Sequence, residues 1–183
     1  MIKSNFSKKN GFTLIELLVA ISIIALLSSV VFASLRTARV KAKAVRNLQD
    51  FKAIEKALYL LADSENRTTW WRETDFGQGG NPHISDLVEN TELGKFLPVA
   101  PVPAQGGYSH YEYDNDGDTF ICGGFPTYKG VNIFLRAVDE DYFFILDDIV
   151  DNGDGSACGR ITAHGSGKDT VIGYNIGINS AAY

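Results

Sequence analysis

The chain has 183 residues, of which 45% are hydrophobic and 11% aromatic, a composition that excludes an intrinsically disordered protein. Two cysteines are too few for a disulfide-stapled miniprotein. Residues 1–56 carry 10 basic and 3 acidic side chains, whereas residues 57–183 carry 7 basic and 19 acidic ones. The second part therefore has a net charge of −12, which argues against direct nucleic-acid binding by that part.

The N-terminus has the composition of a membrane span behind a basic leader. Residues 1–11 are polar and contain three lysines, and residues 12–35 contain one ionisable side chain, Glu16. As a helix these 24 residues would extend about 36 Å, enough to cross a hydrocarbon core of about 30 Å. The leader lysines and the acidic bulk that follows predict a cytoplasmic N-terminus and an exported second part.

Three interpretations of this segment compete. A secretory signal peptide has a shorter apolar region of about 7–15 residues, although residues 31–33 would pass as a poor cleavage site. A plain membrane anchor explains the length but not Glu16, because a carboxylate in hydrocarbon costs about 2.5–3.5 kcal/mol. The third interpretation comes from the residues around that carboxylate.

Residues 11–21, GFTLIELLVAI, resemble the N-terminal signature of type IV pilins and type II secretion pseudopilins. The resemblance is close over residues 8–35 and weak as far as residue 62. It implies that a prepilin peptidase removes a leader of residues 1–11 by cutting between Gly11 and Phe12, and that the new amine of Phe12 is methylated. This segment differs from that of many family members in one respect. Residues 12–35 contain no Gly or Pro at which the helix could loosen. Any loosening would have to depend on Ser28 and Ser29.

The resemblance also gives Glu16 a role in assembly. In a helical filament its carboxylate would meet the Phe12 ammonium of a neighbouring subunit, and paired charges attract strongly where the dielectric constant is low. An acid that is costly in the monomer would then favour polymerisation. The ordinary alternative is a carboxylate that snorkels to the membrane interface.

Helical periodicity continues beyond the apolar run. Residues with a mean spacing of 3.5 form an apolar face: Val40, Ala44, Leu48, Phe51, Ile54, Leu58 and Leu61. We therefore predict one helix from about Phe12 to about Ala62, apolar all round over residues 12–35 and amphipathic over residues 36–62. Five basic residues begin the second half, either as a solvated face or as contacts to lipid headgroups and then to acidic neighbours: Arg36, Arg39, Lys41, Lys43 and Arg46.

Residues 63–183 are predicted to form an exported, β-rich head. Residues 63–107 read as irregular, with a short helical turn at residues 84–88 after Ser85 as its N-cap. The predicted strands are residues 108–113, 119–122, 131–138, 142–146 and 170–178, with 131–138 and 142–146 as a hairpin. The expected fold class is α+β, a long N-terminal helix packed on an antiparallel sheet, as in pilins.

Cys122 and Cys158 lie in the part expected to be exported, where a disulfide is the default state of two cysteines. They lack the spacing of a zinc site or a redox motif. The histidines are isolated in the sequence, and no nucleophile is paired with a base, so we expect no enzyme.

Two acidic, glycine-bearing loops at residues 114–118 and 147–155 are candidates for calcium, which prefers carboxylate and carbonyl oxygens. The candidate ligands are Asp114, Asp116, Asp118, Asp148, Asp151 and Asp154. Major pseudopilins bind calcium in a C-terminal loop, but their ligands cannot be aligned here. The alternative is that these residues serve as turn formers.

The expected function is that of a structural subunit of a type IV pilus-like filament. Its expected partners are prepilin peptidase, copies of itself, an inner-membrane assembly platform and the membrane. The chain would cross the inner membrane once before it joins an extracellular or periplasmic filament. The alternatives are a type II secretion pseudopilin and, in another class, a monomeric membrane-anchored binding domain.

Overall fold

The computed structural model describes residues 11–76, 80–115, 119–122, 125–153, 155, 159–165 and 167–178, without the side chains of residues 74, 119–122 and 125–130. By their contacts, the residues divide into two units, 1–39 and 40–183. One helix, α1, extends from Leu14 to Ser64 and contributes to both units. The predicted long helix is thus confirmed, with each end displaced by two residues.

The C-terminal end of α1 is fixed by backbone geometry. Asn66 has φ of 52°, in the left-handed region that commonly terminates helices. The next N–H, that of Arg67, then donates to the carbonyl of Ala62 at 2.9 Å. The polar segment after residue 62 therefore stops the helix, as its composition indicated.

The second half of α1 buries the predicted apolar face within the unit of residues 40–183. Phe51, Ile54, Leu58 and Leu61 are buried, and Val40 and Leu48 pack against the same core. The ring of Phe51 stacks on Tyr174 with centroids 5.0 Å apart and meets Tyr111 edge-on at 5.2 Å. These aromatic contacts attach the helix to the sheet.

A buried amide on the same face was not anticipated. Asn47 is fully buried, and its side chain donates to the carbonyl of Gln105 at 3.1 Å and accepts from the N–H of Ala104 at 2.7 Å. Because both sides of the amide are satisfied, its burial costs little. Asn47 thereby holds Ala104 and Gln105 against α1.

The sheet is antiparallel. Its strands are β1 (Glu112–Asp114), β2 (Thr119–Cys122), β3 (Phe125–Val138), β4 (Ile161–His164) and β5 (Thr170–Ile178). The order across the sheet is β1-β3-β5-β4, and β2 pairs with the beginning of β3. The α+β architecture of one long helix followed by an antiparallel sheet is confirmed, and so are the predicted bounds of β2 and β5.

The predicted hairpin of residues 131–138 and 142–146 is wrong. Residues 131–138 do belong to β3, but the following segment is a helix, α3 (Glu140–Asp151). Tyr142, Phe143 and Leu146 are its buried hydrophobic residues, a spacing that places them on one side of a helix. Glu140 and Asp141 in the first turn favour a helix start through the helix dipole.

Two further predictions need correction, and β4 and the 3-10 helices were not predicted. The strand expected at residues 108–113 is short and begins later, as β1. Helix α2 (Ile84–Asn90) begins before Ser85, so that His83 rather than Ser85 occupies the N-cap position. Short 3-10 helices occupy Glu73–Phe76, Glu92–Lys95 and Gly167–Asp169.

Candidate functional site

The predicted cleavage junction lies immediately before α1. Residues 11–13 are not helical, Gly11 is exposed, and Phe12 keeps 77% of its surface accessible. Backbone groups inside a helix are engaged in intrahelical hydrogen bonds, whereas those before its first turn are not. The Gly11–Phe12 bond can therefore be reached without unwinding α1.

The first turn of α1 is closed by a reciprocal cap between Thr13 and Glu16. The Thr13 N–H and hydroxyl donate to Oε2 of Glu16 at 2.9 and 2.7 Å, and the Glu16 N–H donates to the Thr13 hydroxyl at 3.3 Å. The Leu17 N–H donates to the Thr13 carbonyl at 3.3 Å and completes the turn. This arrangement is the capping box, in which an N-cap threonine and a glutamate three residues later satisfy each other.

Thr13 is therefore a site residue that the sequence interpretation missed. The signal was present, because Thr13-Leu14-Ile15-Glu16 has the threonine–glutamate spacing of a capping box ahead of an apolar run. The cap gives Glu16 a local role besides the predicted one. It also fixes the carboxylate at the N-terminal end of the helix, where the helix dipole favours negative charge.

The cap leaves part of the carboxylate for another partner. Both hydrogen bonds from Thr13 end on Oε2, and among the residues that the structure describes none donates to Oε1. A second cation or donor can therefore approach Glu16 without displacing Thr13.

The helix that follows has an exposed apolar surface suited to lipid or to other apolar helices. It is long and apolar enough to cross a membrane, and the residues of its most apolar stretch are not buried. The hydroxyls of Ser22, Ser29 and Ser34 donate to carbonyls one turn earlier, at 2.8, 2.7 and 3.1 Å. Such back-bonding satisfies polar groups that would otherwise be costly in hydrocarbon. The helix is continuous at Ser28 and Ser29.

The basic residues that follow the apolar run are all exposed: Arg36, Arg39, Lys41, Lys43 and Arg46. Lys43 donates to the side chain of Gln105 at 3.1 Å. Their exposure fits both interpretations, a solvated face and a contact surface for anionic groups.

The acidic loops give a mixed result for calcium. Asp116, Asp118 and Asp154 lie outside the described residues. Asp114 is buried in β1, with Asn132 Nδ2 at 3.5 Å, and Asp148 is exposed. Asp151 accepts from the N–H of Ile161 at 2.7 Å, which is the backbone role that the turn interpretation assigns. Calcium binding stays a prediction.

The second loop also has an anchor that the candidate ligand set did not include. Asp147 is buried, and its Oδ2 accepts from the N–H of Gly155 at 3.1 Å. Of the two cysteines predicted to form a disulfide, Cys158 and the side chain of Cys122 lie outside the described part of the chain. The pairing therefore stays a prediction.

Comparison with known proteins identifies the N-terminal segment. Residues 6–32 match the family model described as the prokaryotic N-terminal methylation motif. No significant match was found among curated proteins or among solved structures. The motif implies processing by prepilin peptidase and membrane-associated filament assembly. The chain thus carries the N-terminal signature of type IV pilins and pseudopilins, followed by a pilin-like α+β architecture.

Proposed function

We propose that this protein is a structural subunit of a type IV pilus-like filament, without catalytic activity of its own. Its leader is removed after Gly11, the amine of Phe12 is methylated, and the mature chain polymerises through α1. The observation that carries the proposal is the first turn of α1, in which a carboxylate with one oxygen left for a partner precedes an exposed apolar helix.

The exposed apolar side chains of α1 supply the driving force for lateral contact. Leu14, Leu26 and Phe32 each keep more than 65% of their surface accessible. In the membrane, lipid covers such a surface, and in a filament the same surface packs against the helices of other subunits. A single helix can therefore serve first as an anchor and then as the core of an assembly.

The charge at Glu16 gives that assembly a preferred register. Cleavage creates an ammonium group on Phe12, four residues before the carboxylate. An unpaired charge in a low-dielectric bundle is costly, and an opposite charge on a neighbouring subunit offsets much of that cost. Oε1 of Glu16 can accept the ammonium of the neighbour while Oε2 keeps the helix capped.

The remaining parts of the proposal concern location and partners. The chain spans the inner membrane once with its N-terminus on the cytoplasmic side. Prepilin peptidase cleaves it there to give the mature chain. An inner-membrane assembly platform then adds it to the filament, which is exposed at the cell surface. The acidic head is not a nucleic-acid-binding surface, since like charge repels the phosphate backbone.

A type II secretion pseudopilin would have the same N-terminal features but a periplasmic filament, and a monomeric anchored domain would form no filament. Electron microscopy of material sheared from the host surface, labelled with an antibody to the head, separates a surface pilus from both of these alternatives. The proposal predicts labelled filaments that disappear when the gene is deleted. Unlabelled sheared material, with the chain confined to the cell envelope, would contradict a surface pilus.

A further inference from the structure

Two histidines that are 27 positions apart in the sequence meet beside a buried carboxylate. Their meeting depends on a backbone clamp between the residues before α2 and the start of β1. The Ile84 N–H donates to the Tyr111 carbonyl at 2.8 Å, and the Tyr113 N–H donates to the Pro82 carbonyl at 2.9 Å. His83 and Glu112 form an isolated antiparallel bridge between these two bonds. The clamp therefore sets these two residues directly opposite each other.

His110 lies in a bend two residues before Glu112, and its ring reaches His83 from there. The imidazole rings of His83 and His110 stack with centroids 3.6 Å apart and planes 23° apart. One ligand atom from each of His83, His110 and Glu112 lies within 4.8 Å of the other two.

One nitrogen of this cluster has no hydrogen bond. Nε2 of His110 is buried and finds no hydrogen-bond partner among the described residues, although Oε1 of Glu112 lies 3.5 Å away. A buried polar atom without a partner costs free energy and is unusual in a native protein. Two stacked imidazoles that serve only for packing would not explain why this nitrogen faces a carboxylate oxygen.

We propose that His83, His110 and Glu112 form a binding site for a first-row transition metal, with Zn²⁺ as the best-matched ion. Two imidazole nitrogens and one carboxylate oxygen are a recurrent zinc ligand set that leaves the fourth position to water. Calcium is a poor match, since it prefers six to eight oxygen ligands. This site is independent of filament assembly and of the acidic loops.

The geometry requires a small closing movement around the ion. Zinc bonds of about 2.0–2.1 Å in a tetrahedron place ligand atoms about 3.4 Å apart. Because the ligand atoms now lie within 4.8 Å of one another, their separations must shorten by up to about 1.4 Å. The two stacked imidazole rings must also turn so that the plane of each ring contains the ion. His83 keeps 42% of its side-chain surface accessible, so an ion can enter from solvent on that side.

Groups around the cluster are placed to orient the ligands. Nε of Arg136 lies 2.5 Å from Oε2 of Glu112, so Oε1 is the oxygen left for the metal. Oδ2 of Asp86 lies 3.6 Å from Nδ1 of His83. A carboxylate beside a ligating imidazole is the usual outer-shell arrangement of metal sites.

The test uses the untagged full-length chain in detergent, treated with chelator and then titrated with Zn²⁺ by calorimetry. We expect one bound ion per chain and an increase in melting temperature, because a ligand that binds only the native state stabilises it. Co²⁺ added in place of zinc should give visible absorption bands typical of a tetrahedral site.

Two single substitutions and one matched control decide the outcome. His83→Ala and His110→Ala should each weaken zinc binding by more than about 100-fold, the upper end of the loss caused by removing an outer-shell partner. His164→Ala removes an exposed histidine at the end of β4 and should bind zinc as the parent does. Circular dichroism checks that each variant is folded, and the exposure of His83 makes unfolding of His83→Ala unexpected.

The proposal is overturned if the folded parent binds no zinc, or if His83→Ala binds it with parental affinity. Equal losses in His83→Ala and His164→Ala would overturn it as well, since binding would then not be located at the cluster.

Discussion

Thr13 and Glu16 hold each other at the start of α1, and the carboxylate uses only one of its two oxygens to do so. The Glu16 side chain can therefore have two roles, one for each of its carboxylate oxygens. Oε2 caps the helix, and Oε1 is the oxygen that a neighbouring subunit can reach. Because the cap and the charge depend on different chemical properties, substitutions can remove them one at a time.

Removing the cap alone should loosen the first turn of α1. Thr13→Ala loses the hydroxyl that both donates to Glu16 and accepts from its N–H, and loss of such an N-cap costs about 1 kcal/mol. Hydrogen exchange of the mature chain in detergent should therefore be about fivefold faster in the first turn, and unchanged after residue 40. Thr13→Ser keeps the hydroxyl and serves as the control. Parental exchange rates in Thr13→Ala would show that the cap does not stabilise the helix start.

Processing should leave a defined N-terminus. Intact mass and N-terminal fragmentation of the protein from its native host should give a chain that starts at methylated Phe12, because the non-helical Gly11–Phe12 bond is accessible. A chain that starts at Ser34 would support a secretory signal peptide instead. A chain that starts at Met1 would remove the processing proposal altogether.

The predicted disulfide has a direct chemical test. Peptide mapping of the exported protein without reduction should link Cys122 to Cys158, because two cysteines in an oxidising compartment normally pair. The bridge would stabilise the head by about 2–4 kcal/mol, so reduction should lower its melting temperature. Two alkylatable thiols in the native protein would refute both the bridge and the expected export.

Alkaline pH should destabilise the head steeply. Burial raises the pKa of four tyrosines, Tyr111, Tyr113, Tyr142 and Tyr174. Above about pH 10 they lose protons in the unfolded chain but keep them in the folded one. The unfolded state then binds fewer protons, so stability is fully present below pH 10 and falls as the pH rises. At its steepest, the free energy of unfolding falls by about 1.4 kcal/mol per pH unit for each tyrosine, or by about 5 kcal/mol per pH unit for all four.

The fluorescence of Trp70 and Trp71, both buried, can follow this alkaline unfolding. Tyr142→Phe should reduce the slope by about a quarter without loss of stability at pH 7, because the Tyr142 hydroxyl makes no well-formed hydrogen bond to described residues. Tyr108→Phe alters a half-exposed ring and is the matched control. A stability that stays constant between pH 9 and pH 12 would contradict the account.

The features that the sequence predicted well were those set by local pattern. The long helix follows from an apolar run and then a regular spacing of apolar residues, and neither needs knowledge of the partner surface. The local sequence pattern of Thr170–Ile178 likewise predicts a strand. The capping box is equally local, because it depends only on the three-residue spacing between Thr13 and Glu16.

The features that the sequence predicted poorly depend on tertiary context. The segment Tyr142–Leu146 is rich in aromatic and aliphatic residues and reads as a strand, but its burial pattern is helical once α3 packs on the core. The meeting of His83 with His110 requires the backbone clamp between α2 and β1, which no local pattern indicates. Asn47 likewise has a partner 58 positions away.

The most direct test of the account is the filament yield of Glu16→Gln, measured by electron microscopy of sheared material alongside the amount of cleaved chain in the membrane. Glutamine can keep the capping box while it removes the charge. Breaking a buried charge pair costs about 3–5 kcal/mol, a factor of hundreds or more for each subunit added. We expect normal insertion and cleavage after Gly11 but no filaments, whereas Thr13→Ala should still assemble. Filaments in parental number from Glu16→Gln would contradict the role of this carboxylate in assembly.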